Sequence, residues 1–229
     1  MVGLTASSAS SASSESSASS DALRRQEKQA TLGVISSGRG ENLRYILKAE
    51  REGRLPAKVT VVLTDQPDAG ALKIAGEYGV ICQFLDPKGL SREQFDRRLI
   101  ETLEGAGVDL VILTGYMRIL SPLFVGRYRG RILNIHPALL PSFRGMDAFS
   151  QALQYGVRWT GTTVHIVDED VDSGPIVYQM PVPVREGDSH DSLKARIQRA
   201  EYRAYPRAIK MFIEGRPRVE GRRLVWEKD

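Results

Sequence analysis

Residues 31–42 read TLGVISSGRGEN. Thr31–Ser36 is an apolar run of strand length, a glycine turn follows, and an amphipathic segment extends from Glu41 to about Glu52. A strand that hands over to a helix through glycines is the opening half of a βαβ unit. The glycines permit a tight turn, and the same turn presents backbone N–H groups and a helix dipole to a phosphate. From these residues alone the two readings carry equal weight. A dinucleotide fingerprint would place a third glycine near Leu43, and the Lys-Ser/Thr pair of a phosphate loop is missing, so neither an NAD fold nor an NTPase is supported.

Outward from this stretch the alternation continues. Strands are expected at Lys58–Leu63, Val80–Phe84, Asp109–Leu113 and Arg131–Ile135. Helices are expected at Ala69–Tyr78 and Arg92–Glu104. Val59–Leu63 and Leu110–Leu113 are nearly pure Val, Ile and Leu, as strands buried on both faces must be. The last third reads differently: longer strands at Gly161–Val167 and Pro175–Val182, a helix over about Ser189–Ile213, and a hairpin at Arg218–Trp226 turning at Glu220–Gly221–Arg222. The expected fold is α/β: a Rossmann-like, doubly wound, mostly parallel sheet with helices on both faces and antiparallel additions in the C-terminal third.

The chain has 229 residues, 41% hydrophobic and 26% charged, with a formal charge of +4. That composition is ordinary for a globular protein, and the length suits one domain. No apolar run approaches the roughly 18 residues of a membrane span. The basic residues are scattered singly, which argues against a nucleic-acid partner. Cys82 is the single cysteine, so an intrachain disulfide and a cysteine metal cage are excluded. Only three histidines accompany it, and no metal is expected. A cytoplasmic, metal-free protein is the natural reading.

Met1 to about Ser20 is almost entirely Ser and Ala. It cannot bury enough apolar area to offset its ordering entropy, so a disordered tail is expected over residues 1–29, with a short helix beginning in Asp21–Gln29. The globular domain then runs over 30–229.

Two segments carry chemistry. In LNIHPALLP, residues 133–141, Asn134 and His136 stand two apart at a strand end and share one face. Pro137 takes the chain out of the sheet. An amide and an imidazole thus meet at a strand's carboxyl end, where open α/β sheets bind ligands. A lone histidine there would more often be structural; the pairing favours function. The second segment, VDEDVDSGP over 167–175, is an acidic loop between strands. Such loops are usually solvated turns, and this one lacks the glycine and final glutamate of an EF-hand. The remaining role is a carboxylate that orients His136 and raises its pKa by favouring the cation. His165, inside a strand, reads as structural, and His190 as part of a helix cap.

With SGRGEN, GYMRILSP, NIHPALLPSFRG, GTTVHIVDEDVDSGPI and AEYRAYP in this order, the sequence from about Leu32 to Trp226 resembles the phosphoribosylglycinamide formyltransferase family of the folate-dependent formyltransferases. The resemblance implies formyl transfer from 10-formyltetrahydrofolate to the amine of a glycinamide ribonucleotide. It implies catalysis by Asn134, His136 and Asp172. Folate contacts would fall on Arg92, on Met117, Arg118, Ile119 and Leu120, on Asn134, and on the loop Asp168, Glu169, Asp170, Val171 and Asp172. Acceptor contacts would fall on Gly40, Glu41 and Asn42 and on Glu201, Tyr202, Arg203 and Ala204. The implied partners are small molecules, with the chain a monomer or homodimer.

Two positions depart from the family pattern. Glu41 stands where a small hydroxyl residue is usual, and Arg144–Gly145 stands where Pro-Gly is frequent; that Arg-Gly looks more like the methionyl-tRNA and sugar-nucleotide formyltransferases, whose pattern the following Met146–Asp147–Ala148–Phe149 does not continue. A related hydrolase branch carries an extra N-terminal regulatory domain, which the serine-rich tail does not resemble. The tRNA branch carries a basic C-terminal domain, whereas this sequence stops at Asp229, shortly after the expected hairpin.

Overall fold

A computed structural model describes residues 29–226. The tail, and all but the last residue of the short helix expected at Asp21–Gln29, lie outside the described residues. Within them the chain forms β1 (Ala30–Ile35), α1 (Glu41–Arg51), β2 (Ala57–Thr64), α2 (Gly70–Tyr78), β3 (Ile81–Phe84), α3 (Arg92–Gly105), β4 (Leu110–Leu113) and α4 (Pro122–Arg127). There follow β5 (Ile132–His136), α5 (Ala148–Tyr155), β6 (Trp159–Ile166), β7 (Ile176–Pro183), α6 (His190–Gly215), β8 (Arg218–Glu220) and β9 (Arg223–Val225). The main sheet has the order β3-β2-β1-β4-β5-β6-β7, and β8 pairs with β9 in a separate hairpin. The first five strands run parallel; β6 and β7 are antiparallel additions. This is the doubly wound arrangement expected, with its direction of winding reversing between β1 and β4.

Each buried strand feeds two cores because successive side chains point to opposite faces. Leu32 and Val34 of β1 join Leu110, Ile112 and Leu133 in one core, against Leu43 and Ile46 of α1 and Tyr205 and Ile209 of α6. Ile35 joins Val111, Leu113 and Ile132 in the other, against Phe95, Leu99 and Leu103 of α3. Gly33 faces that second core, and a Cβ there would lie 2.4 Å from the Leu103 side chain. The glycine is the space into which α3 packs. A buried leucine such as Leu99 (1% exposed) contributes about 1.5–3 kcal/mol by leaving water.

Helices α4 and α5 are not foreseen from hydrophobic periodicity, because they span only 6 and 8 residues. Their signals are local instead. Ser121 caps α4 ahead of Pro122, and Asp147 caps α5, which ends at the left-handed Gly156. Tyr205 on α6 is fully buried, and its hydroxyl lies 2.8 Å from the carbonyl oxygens of both Leu113 and Leu133. It thereby ties the last residue of β4 to the second residue of β5. Among the described residues no helix is long and apolar enough to cross a membrane.

Candidate active site at the carboxyl end of β5

In a parallel sheet every strand points the same way, so the segments that follow β1, β3, β4 and β5 gather along one edge. Ser36 donates its hydroxyl to the Thr114 carbonyl at 2.9 Å, and Ser37 Oγ accepts the Met117 N–H at 3.2 Å. These bonds join the turns after β1 and β4, the point where the winding reverses and open sheets leave a crevice.

Asn134 and His136 occupy β5 at that edge. His136 is 4% exposed. Its Nε2 donates to the Phe143 carbonyl at 2.7 Å, and its Nδ1 lies 3.2 Å from Oδ2 of Asp172. Asp172 is distant in sequence but folds back across β5 and β6. Its Oδ2 accepts the Gly145 N–H at 2.9 Å, and its Oδ1 lies 3.5 Å from Nε2 of His165. The Asn134 side-chain nitrogen lies 3.3 Å from that same His165 Nε2. Asn134, His136 and Asp172 therefore converge, and His165 completes the cluster.

Burial pulls the His136 pKa down, while Asp172 and the Phe143 carbonyl push it up and neighbouring His165 pushes it down; the net direction is below the ordinary imidazole value. This corrects the expectation of a raised pKa. The carboxylate acts in the expected sense, but desolvation of a buried ring is larger. For Asp172 the balance reverses. Burial alone would raise it, yet the hydrogen bonds from His165 and the Gly145 N–H, with the charge of His136, hold the carboxyl below its usual range.

Backbone geometry explains why this loop can reach. Gly174 sits so close to β6 that a Cβ would lie 1.8 Å from the Ile166 carbonyl oxygen. Only glycine allows the chain to turn back there, and Asp172 itself adopts φ 50°, a left-handed conformation that Asp tolerates better than most residues.

The predicted acceptor residues also meet. Gly40 takes φ 77° at the start of α1, and no side chain caps that helix, so its first N–H groups face outward unclaimed by a cap. Glu201 on α6 is 8% exposed and accepts the Asn42 amide at 3.1 Å across 159 positions of sequence. Burial, opposed by the Asn42 bond, pushes the Glu201 pKa up to about 7. Asn42 Oδ1 is buried without a hydrogen-bond partner among the described residues. Glu41 is partly exposed and lies 3.9 Å from Arg44. Tyr202 stacks on Tyr45 with ring centroids 4.3 Å apart. Arg203 is exposed and Ala204 is buried, which leaves Ala204 a packing role on α6.

The remaining predicted residues divide. Arg92 opens α3 as an exposed side chain, and both it and Arg118 oppose the rise in pKa that burial gives Asp96. Met117 and Ile119 are 63% and 57% exposed beside the crevice, whereas Leu120 is buried in the core. Asp168 accepts the Ser173 hydroxyl at 2.6 Å, and Glu169 pairs with Arg129 at 3.6 Å on an exposed surface. Asp170 accepts the Ser173 hydroxyl through its carbonyl, and Val171 is 53% exposed. Of the acidic loop, Asp172 alone touches His136 or His165. His165, read from sequence as structural, is the residue missed. Its signal was the period-two spacing from Thr163, which puts it opposite Asn134 in the β5–β6 register.

Comparison with known proteins places the chain in a family. The formyl transferase family matches residues 31–209. Phosphoribosylglycinamide formyltransferase of Escherichia coli is 42% identical over 184 residues, covering 80% of this chain and 87% of that one. The crystal structure of glycinamide ribonucleotide transformylase 1 from Symbiobacterium toebii superposes with a TM-score of 0.86 at 47% identity, over 89% of this chain and 96% of that one. A formyltetrahydrofolate deformylase from Pseudomonas syringae is more distant, at 25% identity and a TM-score of 0.80, with 88% of this chain and 67% of that one covered. The chain belongs to the formyl transferase family, among relatives named phosphoribosylglycinamide formyltransferase.

Proposed function

We propose that the chain transfers a formyl group from 10-formyltetrahydrofolate to the glycine amine of 5′-phosphoribosylglycinamide, a step of purine biosynthesis. The observation that carries this reading is the meeting of Asn134, His136 and Asp172 around the end of β5, in a sheet whose first strand leads into the uncapped start of α1. The phosphate of the acceptor suits the α1 N–H groups and dipole. Asn42 Oδ1 and Glu201 offer hydrogen-bond partners to its sugar and amide. The folate lies against Met117, Arg118 and Ile119, with Arg92 near its anionic end.

The acceptor amine attacks the formyl carbon. A C–N bond forms and the carbonyl electrons move to oxygen, giving a tetrahedral oxyanion. Asn134 donates an N–H to that oxygen. His136, with both ring nitrogens facing protein acceptors, exchanges the Phe143 carbonyl for the oxyanion and donates from Nε2. Removing one such donor typically lowers turnover by ~10²–10³. The oxyanion then collapses, re-forming C=O and breaking the bond to the folate nitrogen. The proton lost by the amine passes by way of Asp172 and water to that leaving nitrogen.

The test is to follow loss of the formyl group from folate with and without the ribonucleotide acceptor. Transfer that requires the acceptor supports the proposal. Equal turnover in its absence assigns the chain instead to hydrolysis, the activity in the name of the deformylase neighbour.

A further inference from the structure

The segment between Pro141 and α5 carries three positive φ angles in five residues: Phe143 (56°), Gly145 (77°) and Asp147 (52°). Two of these are on residues with side chains, which costs of order 1–3 kcal/mol each and persists only where surrounding contacts hold it. The same segment supplies the Phe143 carbonyl to His136 Nε2 and the Gly145 N–H to Asp172 Oδ2. Its backbone therefore sets both side chains.

What holds it is visible at its far end. Asp147 Oδ1 accepts the Ser150 N–H at 3.3 Å, capping α5, and lies 3.3 Å from Nε2 of His190, the first residue of α6. The His190 ring packs edge-on against Phe149, 5.5 Å between centroids, and its Nδ1 lies 3.4 Å from Asp191. Gln151, one turn into α5, donates to the carbonyls of Arg144 and Met146. One aspartate thus joins the starts of two helices and anchors a strained backbone whose middle grips the site.

We propose that Asp147, bridged to His190, is a positioning residue that fixes the orientation of His136 and Asp172 through the Phe143–Gly145 backbone. The proposal rests on the roles given to His136 and Asp172 above. Asp147 touches neither side chain, so its effect passes through the segment alone.

The full chain carries three histidines, so the ring signals of His136 can be followed by NMR alongside steady-state kinetics. Asp147→Ala is expected to lower kcat about tenfold, the cost of a small misplacement, and to move the His136 ring signals, with KM for both substrates nearly unchanged. Asp147→Asn, which still caps a helix, is expected to restore kcat to within about twofold of the parent. His190→Ala is expected to move the same signals in the same direction by less, and decides the matter if Asp147→Ala does not fold. Folded Asp147→Ala with unmoved His136 signals, whatever its kcat, overturns the proposal. Full turnover in His136→Ala would instead sink the functional reading, and the NMR comparison separates the two failures.

Discussion

Oδ2 of Asp172 lies 3.2 Å from Nδ1 of His136, with the two side chains 10% and 5% exposed. Little solvent screens this contact, so the charge on one sets the proton affinity of the other. Burial has already taken the His136 pKa below its ordinary value, and Asp172 is the largest influence opposing that fall.

Asp172→Asn should therefore lower the His136 titration midpoint further. The sign follows from linkage. A ring whose folded pKa is depressed takes up its proton more readily unfolded, so stability declines as pH falls below about 6.5, and the variant declines more steeply. With less imidazolium at neutral pH, kcat should drop by roughly 10². An NMR titration beside a pH–rate profile checks both, and a midpoint that rises contradicts the account.

Glu201 makes a different trade. Its pKa is pushed up to about 7 by burial, against about 4.3 for a free glutamate. Between those values the unfolded chain releases a proton that the folded chain keeps, so stability falls as pH rises through this window and levels off above it. Glu201→Gln keeps the Asn42 contact without the charge. It should stabilise the free protein above pH 7 by of the order of 3 kcal/mol, abolish the slope, and raise KM for the acceptor several-fold. Thermal melts at pH 5 and pH 8 show the first effect, and an unaltered difference between them would refute it.

Much of this could be seen in the residues themselves. The parallel strands were legible because Leu110–Leu113 is apolar at every position and Val59–Leu63 at all but Thr60, and Asn134 with His136 because their spacing fixes a common face. The α5 cap and the Asn42–Glu201 bond were not legible as geometry. One depends on a left-handed aspartate, and the other joins residues 159 positions apart. The His136 pKa was misjudged for a related reason: the sequence names a carboxylate partner but not the depth of burial that outweighs it.

Gly174→Ala tests why the Asp172 loop can turn back. A methyl group 1.8 Å from the Ile166 carbonyl must displace the loop or the strand, at a cost of about 1–3 kcal/mol. Because Asp172 stands in that loop, kcat should fall together with stability. Chemical denaturation and turnover of the folded variant give the two numbers, and a stable, fully active alanine variant would mean the loop is held in some other way.

Substitution of His136 bears most directly on the whole account. His136→Ala is expected to bind formylated folate with near-parent affinity while losing ~10²–10³ in kcat, since the proposed mechanism has the ring act on the oxyanion rather than on the bound ground state. Binding by fluorescence titration, paired with acceptor-dependent turnover, reads both. Parent-level turnover in that variant would contradict the assignment of the β5 cluster as the site of formyl transfer.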